Sequence, residues 1–535
     1  MPRHPRRART AGTVVAAAGV LATSIGSPAA GAPAVNRISL VPIGTYASGV
    51  FDGSAAEIVA HDPVTQRLFV VNAAAGSVDV LGIADPTEPE LIGSIIASGV
   101  VNSVDVYDGT VAIAAQADPA QEPGFVELFD TDGNPLAAVR VGSLPDMLTF
   151  SPDGTMIVVA NEGEPAGYCA GDEGDPEGSI SIIDVSGGAA GVTQDDVRTA
   201  DFTAFNGQED ALRAAGVRIF GPGATVAQDL EPEYVAIDAD STTAWVALQE
   251  NNAFAIVDLA SADVTDIVSL GYKDHSVRDN ALDASNEDGR INIRTWPVQG
   301  MYMPDGIDAY ERGGRTFIVT ANEGDARDYE CFSEEARIGD LVLDREAFRF
   351  PARLQQDQRL GRLKTTTAFP TVEPATELYS YGARSFSIRD AAGNLVFDSG
   401  DDFERITAAV DPENFNSNND ENGSFDSRSD DKGPEPEGIE IGRAFGNTYA
   451  FIGLERVGGV MVYDIGSPQD PRFVEYVNNR DFDGDAEAGT AGDLGPEGIT
   501  FISAADSPIA FPLLAVANEV SGTTTIYKVL PVVGR

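Results

Sequence analysis

Acidic residues recur at two fixed places along this chain, with the spacing that oxygen-based cation chemistry needs. Asp146, Glu233, Asp305, Glu437 and Glu497 each open an alternating, strand-like stretch. Glu162, Glu250, Glu323, Glu455 and Glu519 each close the strand that comes next, and Asn161, Asn322 and Asn518 stand immediately before three of them. Carboxylate and amide oxygens at such density suit a hard cation such as Ca²⁺. The candidate metal ligands are Glu162, Asp305, Asn322, Glu323, Glu437, Glu497, Asn518 and Glu519. A second use stays open: a carboxylate at a strand end can accept backbone N–H bonds and fasten neighbouring strands to each other.

A calcium-dependent phosphoesterase would add cationic side chains to balance phosphoryl charge. Lys432 stands beside Asp430 and Asp431, Arg327 follows the phrase ANEGD, and Lys273, Asp274 and His275 form a run. Lys432, Asp431, Arg327 and His275 are the candidate catalytic residues, though any one of them taken singly is better explained as part of an ion pair that fastens a loop. The chain has 3 histidines, which speaks against a His-based zinc site. No nucleophile elbow, phosphate-binding loop or dinucleotide fingerprint occurs. Residues 418–423 (NNDENG), 481–487 (DFDGDAE) and 283–289 (DASNEDG) resemble parts of calcium loops, and none matches the full pattern.

These residues are placed by a diffuse repeat. Its copies cover 57–83, 103–130, 145–185, 232–259, 304–322 continued by 383–407, 436–465 and 496–529. Each alternates like strands and turns on Gly, Asp, Asn or Pro. One copy cannot bury both faces of its sheet, but a radial array can. The reading is all-β: a seven-bladed β-propeller of the YVTN/WD40 type with long loop insertions. It forms one domain over 33–535, closed by a strand near 37–46 that completes the last copy. In a four-stranded blade the innermost strand starts where the second strand ends. The two acidic sets are therefore expected on one rim of the channel. Insertions fall near 163–178, 271–303, 323–382 and 408–434, and short helices are expected at 207–215 and around 333–348.

Asp plus Glu number 84 against 35 Lys plus Arg, a formal charge of −49. Such a surface repels nucleic acid and anionic lipid and attracts divalent cations. Arg3, Arg6, Arg7 and Arg9, an apolar run over 11–26 and Ala30-Gly31-Ala32 read as an export signal over 1–32. No later apolar run is long enough to span a bilayer. The expected place is outside the cell or in the periplasm. The expected partners are divalent cations, phosphate esters or a surface polymer. Cys169 and Cys331 are the 2 cysteines and follow equivalent phrases, which favours a disulfide between two loops on one face.

Several longer phrases add a resemblance: ANEGEP, ANEGDARDY, GYKDHSVRDNALDASNEDG, SYGARSFSI, FDSRSDDKGPEPEG and LAVANEVSG. Across about 38–530 the chain resembles the choice-of-anchor I family. That resemblance implies a secreted or surface propeller with a C-terminal anchor that varies between members, and no anchor is evident here. Bacterial relatives are often labelled alkaline phosphatases, and animal members are associated with biomineral. The resemblance thus points to calcium and phosphate and transfers no catalytic residues.

Overall fold

A computed structural model describes residues 35–172 and 174–533; the segment read as an export signal lies outside them. Seven four-stranded antiparallel sheets make up the body. Their innermost strands are Val59–Asp62, Val100–Tyr107, Pro145–Phe150, Pro232–Ile237, Ile307–Glu311, Pro436–Ala444 and Pro496–Ile502, and these head blades one to seven. Each inner strand lies beside the next, and the seventh lies beside the first, so the ring closes. The seventh sheet takes its outer strand, Val35–Ala47, from the start of the described chain, paired antiparallel with Thr523–Val533.

Strand periodicity explains how the ring is glued. In Met156–Asn161 of blade three, Ile157 and Val159 pack towards blade two. Val158 and Ala160 pack towards blade four. The second strand of blade seven divides alike, with Leu514 and Val516 facing blade six and Leu513, Ala515 and Ala517 facing blade one. Second strands therefore read as unbroken apolar runs, because both faces are covered.

In each sheet the start of the first strand, the end of the second, the start of the third and the end of the fourth share one face. All the long insertions leave from that face. Residues 271–303 and 323–382 fold together. Tyr272–Asp274, Gln299–Met301 and Tyr379–Ser380 form one small sheet. Trp296, Leu282, Ile338, Phe348 and Leu360 share a separate hydrophobic cluster above the propeller. This cap is long-range structure that no local period announces.

Two local expectations change. The helix at Glu209–Ala215 is present. Around 333–348 there is instead a strand, Glu335–Arg337, paired with Lys364–Thr366, followed by a 3₁₀ turn at Ile338–Asp340. Gly339 packs against Gly361, where an added Cβ would lie 2.9 Å from the carbonyl oxygen. Pairing within the cap thus overrides helical propensity. The outer strand of blade five ends at Asp398, and Asp402–Val410 is a helix whose Phe403 fills the core between blades five and six.

Candidate metal centre at the mouth of the channel

The acidic strand starts are aimed by bulges. In blades three, four, six and seven the ladder skips between Pro145 and Leu148, Pro232 and Val235, Pro436 and Ile439, and Pro496 and Ile499. Asp146, Glu233, Glu437 and Glu497 sit in those gaps, where a bulge re-aims the side chain. Glycine then lets the blades crowd together. A Cβ on Gly438 would lie 1.7 Å from the Glu497 carbonyl oxygen, and one on Gly498 would lie 2.2 Å from that of Glu57. The Pro-Glu-Gly phrase is thus a device for packing successive acids around a narrow opening.

The resulting cavity has a volume of about 530 Å³. Ten carboxylates face it: Asp146, Glu162, Glu233, Asp305, Glu323, Asp325, Glu437, Glu455, Glu497 and Glu519; two cations, Lys432 and Arg456, accompany them. Three sets of oxygens converge within 4.8 Å of one another: Glu57, Glu497 and Glu519; Asp305, Glu323 and Glu437; and Glu323, Glu435 and Glu455. The last set is neutralised from within the chain. Glu435 is ion-paired to Arg428 at 2.6 Å, Arg456 at 2.8 Å and Lys432 at 3.4 Å. Burial opposes its ionisation, but Lys432, Arg428 and Arg456 outweigh burial and hold its carboxyl well below the usual range.

Glu323 is paired with Lys432 at 2.7 Å and Glu455 with Arg456 at 2.8 Å, while most of the other rim acids lack such partners. Among the described residues, Glu233, Glu250, Glu437, Glu455 and Glu497 each bury an Oε2 that has no hydrogen-bond partner. Burial, then Glu519 and Asp146, pushes Glu57 up to about 7. Burial, then Glu164, does the same to Asp146, also to about 7. Burial first and neighbouring carboxylates second hold Glu162, Glu233, Asp305, Glu437 and Glu497 well above the ordinary carboxylate range, and burial does the same to Glu455 against the opposing pull of Arg456. Each of these groups needs a proton or a cation, and a divalent ion shared between blades meets that need without protons.

Fastening blades through backbone N–H falls to other residues. Asp105 accepts from Phe150 N at 2.8 Å, Asp308 from Ile441 N at 2.9 Å and Glu440 from Phe501 N at 3.1 Å, in each case from the next blade. These acids lie further along the inner strands than the rim set.

The expected ligands separate into two groups. Glu162, Asp305, Glu323, Glu437, Glu497 and Glu519 line the cavity. Asn322 and Asn518 do not, nor does Asn161. Asn322 donates to Ser387 Oγ at 2.8 Å and accepts from Thr320 at 2.8 Å. Asn518 donates to the Thr523 carbonyl at 3.2 Å. Adjacent strand residues point to opposite sides, so the Asn of each Asn-Glu pair turns into its blade while the Glu turns to the channel.

The expected catalytic set does not assemble. Only Lys432 faces the cavity, with its Nζ 2.7 Å from Glu323, 3.4 Å from Glu435 and 3.7 Å from Asp325. Asp431 pairs with Arg428 at 3.0 Å and Lys364 at 3.2 Å. Arg327 is buried against Asp229 and Glu231 and lies over the Phe220 ring. His275 is buried with Nδ1 2.6 Å from the Asn280 carbonyl. Burial, then Lys273, pushes it down to about 3, so the ring is neutral. Lys273 itself is tied to Asp398 at 2.9 Å. Arg327 and Asp431 are thus committed to partners away from the cavity, and His275 is held within its own loop.

The loop at 418–423 holds a guanidinium. Arg480 donates to the carbonyls of Asn418 and Glu421, at 2.7 and 2.8 Å, and to Asn422 Oδ1 at 3.1 Å. Cys169 and Cys331 form a disulfide that ties the 163–178 loop to the cap. Sequence reasoning missed Glu57, Asp325, Glu435 and Arg456. Glu57 had a signal: it heads the first repeat copy as Glu233, Glu437 and Glu497 head theirs.

The chain is 30% identical over 193 residues to Gigasin-3a of Magallana gigas, covering 33% of this chain and 66% of the relative. It is 28% identical over 283 residues to a mesenchyme-specific cell surface glycoprotein of Strongylocentrotus purpuratus, covering 45% of this chain and 35% of the relative. The chain thus spans under two thirds of the length of either relative. Among solved structures, the Cps50 (Swd1) β-propeller domain of Myceliophteria thermophila superposes with a TM-score of 0.44 at 9% identity, over 91% of this chain and 99% of that one. Residues 57–468 match the choice-of-anchor I domain, and the chain belongs to the choice-of-anchor I family.

Proposed function

We propose that this protein is an exported surface propeller that holds Ca²⁺ at the acidic mouth of its channel and acts as a non-catalytic binding module. The observation that carries this reading is the set of buried rim oxygens, on Glu233, Glu250, Glu437, Glu455 and Glu497, that no donor reaches among the described residues. Ca²⁺ takes six to eight oxygens in flexible geometry, which suits acids contributed by separate blades. Glu57, Glu497 and Glu519 form a convergent set whose members make no ion pair among the described residues. The name of one relative, a cell surface glycoprotein, supports a surface location, with 1–32 as the export signal. An ion held at the rim would offer open coordination positions to anionic groups of a surface polymer. No helix among the described residues is long and apolar enough to cross a membrane.

A calcium-dependent phosphoesterase is the second reading, favoured by the position of Lys432 in the cavity wall. Its ammonium is already shared by three carboxylates, and Arg327 and His275 are committed elsewhere. A phosphate arriving alone would meet an anionic wall.

Calorimetry and thermal unfolding test the reading. Calcium is expected to raise the melting temperature, by the equivalent of about 2.7 kcal/mol at roughly a hundredfold excess over Kd. Glu437→Gln combined with Glu497→Gln is expected to abolish most of that rise. Chromogenic phosphomonoesters and phosphodiesters are expected to show no turnover with or without chelator. Absence of binding at millimolar calcium would sink the proposal, and calcium-dependent turnover lost in Lys432→Ala would replace it with the second reading.

A further inference from the structure

The surface of the cap carries a groove with a volume of about 620 Å³, built from the single stretch 341–355. That stretch is fixed from several sides. Leu343 bridges to Ala375, where Ala375 N donates to the Val342 carbonyl at 2.8 Å and Asp344 N donates to the Ala375 carbonyl at 2.9 Å. Gln355 Nε2 donates to the carbonyls of Ile338 at 2.9 Å and Leu341 at 2.8 Å, which ties the two ends of the groove together. Leu343 and Phe348 are drawn into the hydrophobic cluster of the cap. Their neighbours are left outside: Val342 is 58% exposed and Phe350 57%. A groove held this way loses little freedom when something enters it.

Three guanidinium groups line the same groove, those of Arg345, Arg349 and Arg353. All three residues are exposed, and among the described residues their side chains make no ion pair and no hydrogen bond. Arg349 lies 5.1 Å from the centroid of the Phe350 ring, so a charge and an apolar face stand side by side. Residues 341–364 carry six basic side chains against three acidic ones, in a chain of formal charge −49. Asp344 is spent on its own turn, where it accepts from Glu346 N at 2.7 Å and Ala347 N at 2.9 Å. Neither Asp344 nor Glu346 lines the groove. Exposed charges more than about 8 Å away are largely screened at physiological ionic strength. A ligand in the groove therefore meets the three arginines rather than the net charge of the molecule.

We propose that this groove docks an acidic segment of a partner protein, which seats one apolar side chain against Val342, Phe350 and Pro351 and sets its carboxylates against Arg345, Arg349 and Arg353. The planar fork of an arginine takes a carboxylate through two parallel hydrogen bonds. A sulfated polysaccharide would use the guanidinium groups and leave Val342 and Phe350 uncovered. The surface is separate from the rim and does not depend on an ion there.

Fluorescence anisotropy on the full chain, with chelator present, tests this. The probe is a labelled peptide of Asp and Glu around a central Leu-Phe pair, and its comparison carries Ser-Ser in the centre. Saturable binding is expected for the first, about tenfold weaker for the second. Arg345→Glu with Arg349→Glu is expected to weaken binding about tenfold or more, and Phe350→Ala about fivefold or more. Arg353→Ala, which only truncates an exposed side chain, is expected to weaken it in the same direction. Arg140→Glu with Arg472→Glu makes the same change in net charge at exposed positions on the outer strands of blades two and six, and is expected to stay within about twofold of the unaltered chain. Melting temperatures are measured alongside and are expected to be unchanged. Absence of binding, equal affinity for the two peptides, or equal losses in the two double variants would overturn the proposal. So would heparin or phosphatidylserine vesicles that bind through these arginines while the peptide does not, which would assign the groove to a polysaccharide or a membrane.

Discussion

Asp308 in blade five accepts a hydrogen bond from the backbone N–H of Ile441 in blade six, at 2.9 Å, so the carboxylate of one inner strand holds the backbone of the next. Asp105 with Phe150 and Glu440 with Phe501 repeat the arrangement. Removing the acceptor leaves the neighbour's N–H unpaired. Asp308→Ala is therefore expected to cost about 1–3 kcal/mol, read as a fall in melting temperature with calcium affinity at the rim unchanged.

The rim acids set a pH dependence whose sign follows from their direction of shift. Glu57 and Asp146 are pushed up to about 7 by burial first and by neighbouring carboxylates second, against about 4 in an unfolded chain. Between those values the folded chain holds the extra protons. The stability they contribute is fully present below about pH 4 and is lost as pH rises through about 7. Chelated protein is expected to melt at lower temperature as pH rises over that window. Calcium is expected to oppose the loss, because it takes the place of the protons. Equal pH profiles with chelator and with calcium would contradict this.

Gly438 is expected to tolerate no side chain. A Cβ there would lie 1.7 Å from the carbonyl oxygen of Glu497 in the next blade, so the inner strands would have to separate. Gly438→Ala is expected to destabilise by about 3 kcal/mol or more and to weaken calcium binding by spreading the rim. Gly207, where an added Cβ would meet nothing within 4 Å and φ is not positive, serves as the control position.

The bridge between Cys169 and Cys331 closes a span of 162 residues. Replacing both by Ser is expected to cost about 2–5 kcal/mol. Limited proteolysis is expected to cut first within 163–178 and 323–334, the loops that the bridge joins, before any blade strand.

How much of this was legible can be argued from particular residues. Ile157 to Ala160 announced a strand covered on both faces, and the turn residues announced where each strand ends, because period and turn chemistry are local properties. Antiparallel connectivity then put Glu437 and Glu455 on one face before any coordinates, since the start of a first strand and the end of a second must lie together. The cap was not legible, because its small sheet pairs Gln299 with Tyr379 across two intervening blade strands.

The residue order by itself determined the repeat, the radial packing it requires and the face on which the acids gather. Tertiary structure alone decided which atoms are spent and which are left over. Asn322 and Glu323 are chain neighbours, yet the first turns into its blade and the second lines the channel. Arg327 looked available beside the rim but is claimed by Asp229 and Glu231, about a hundred residues earlier in the chain. A side chain's chemistry depends on the groups within a few ångströms of it, and folding chooses those groups from anywhere along the sequence.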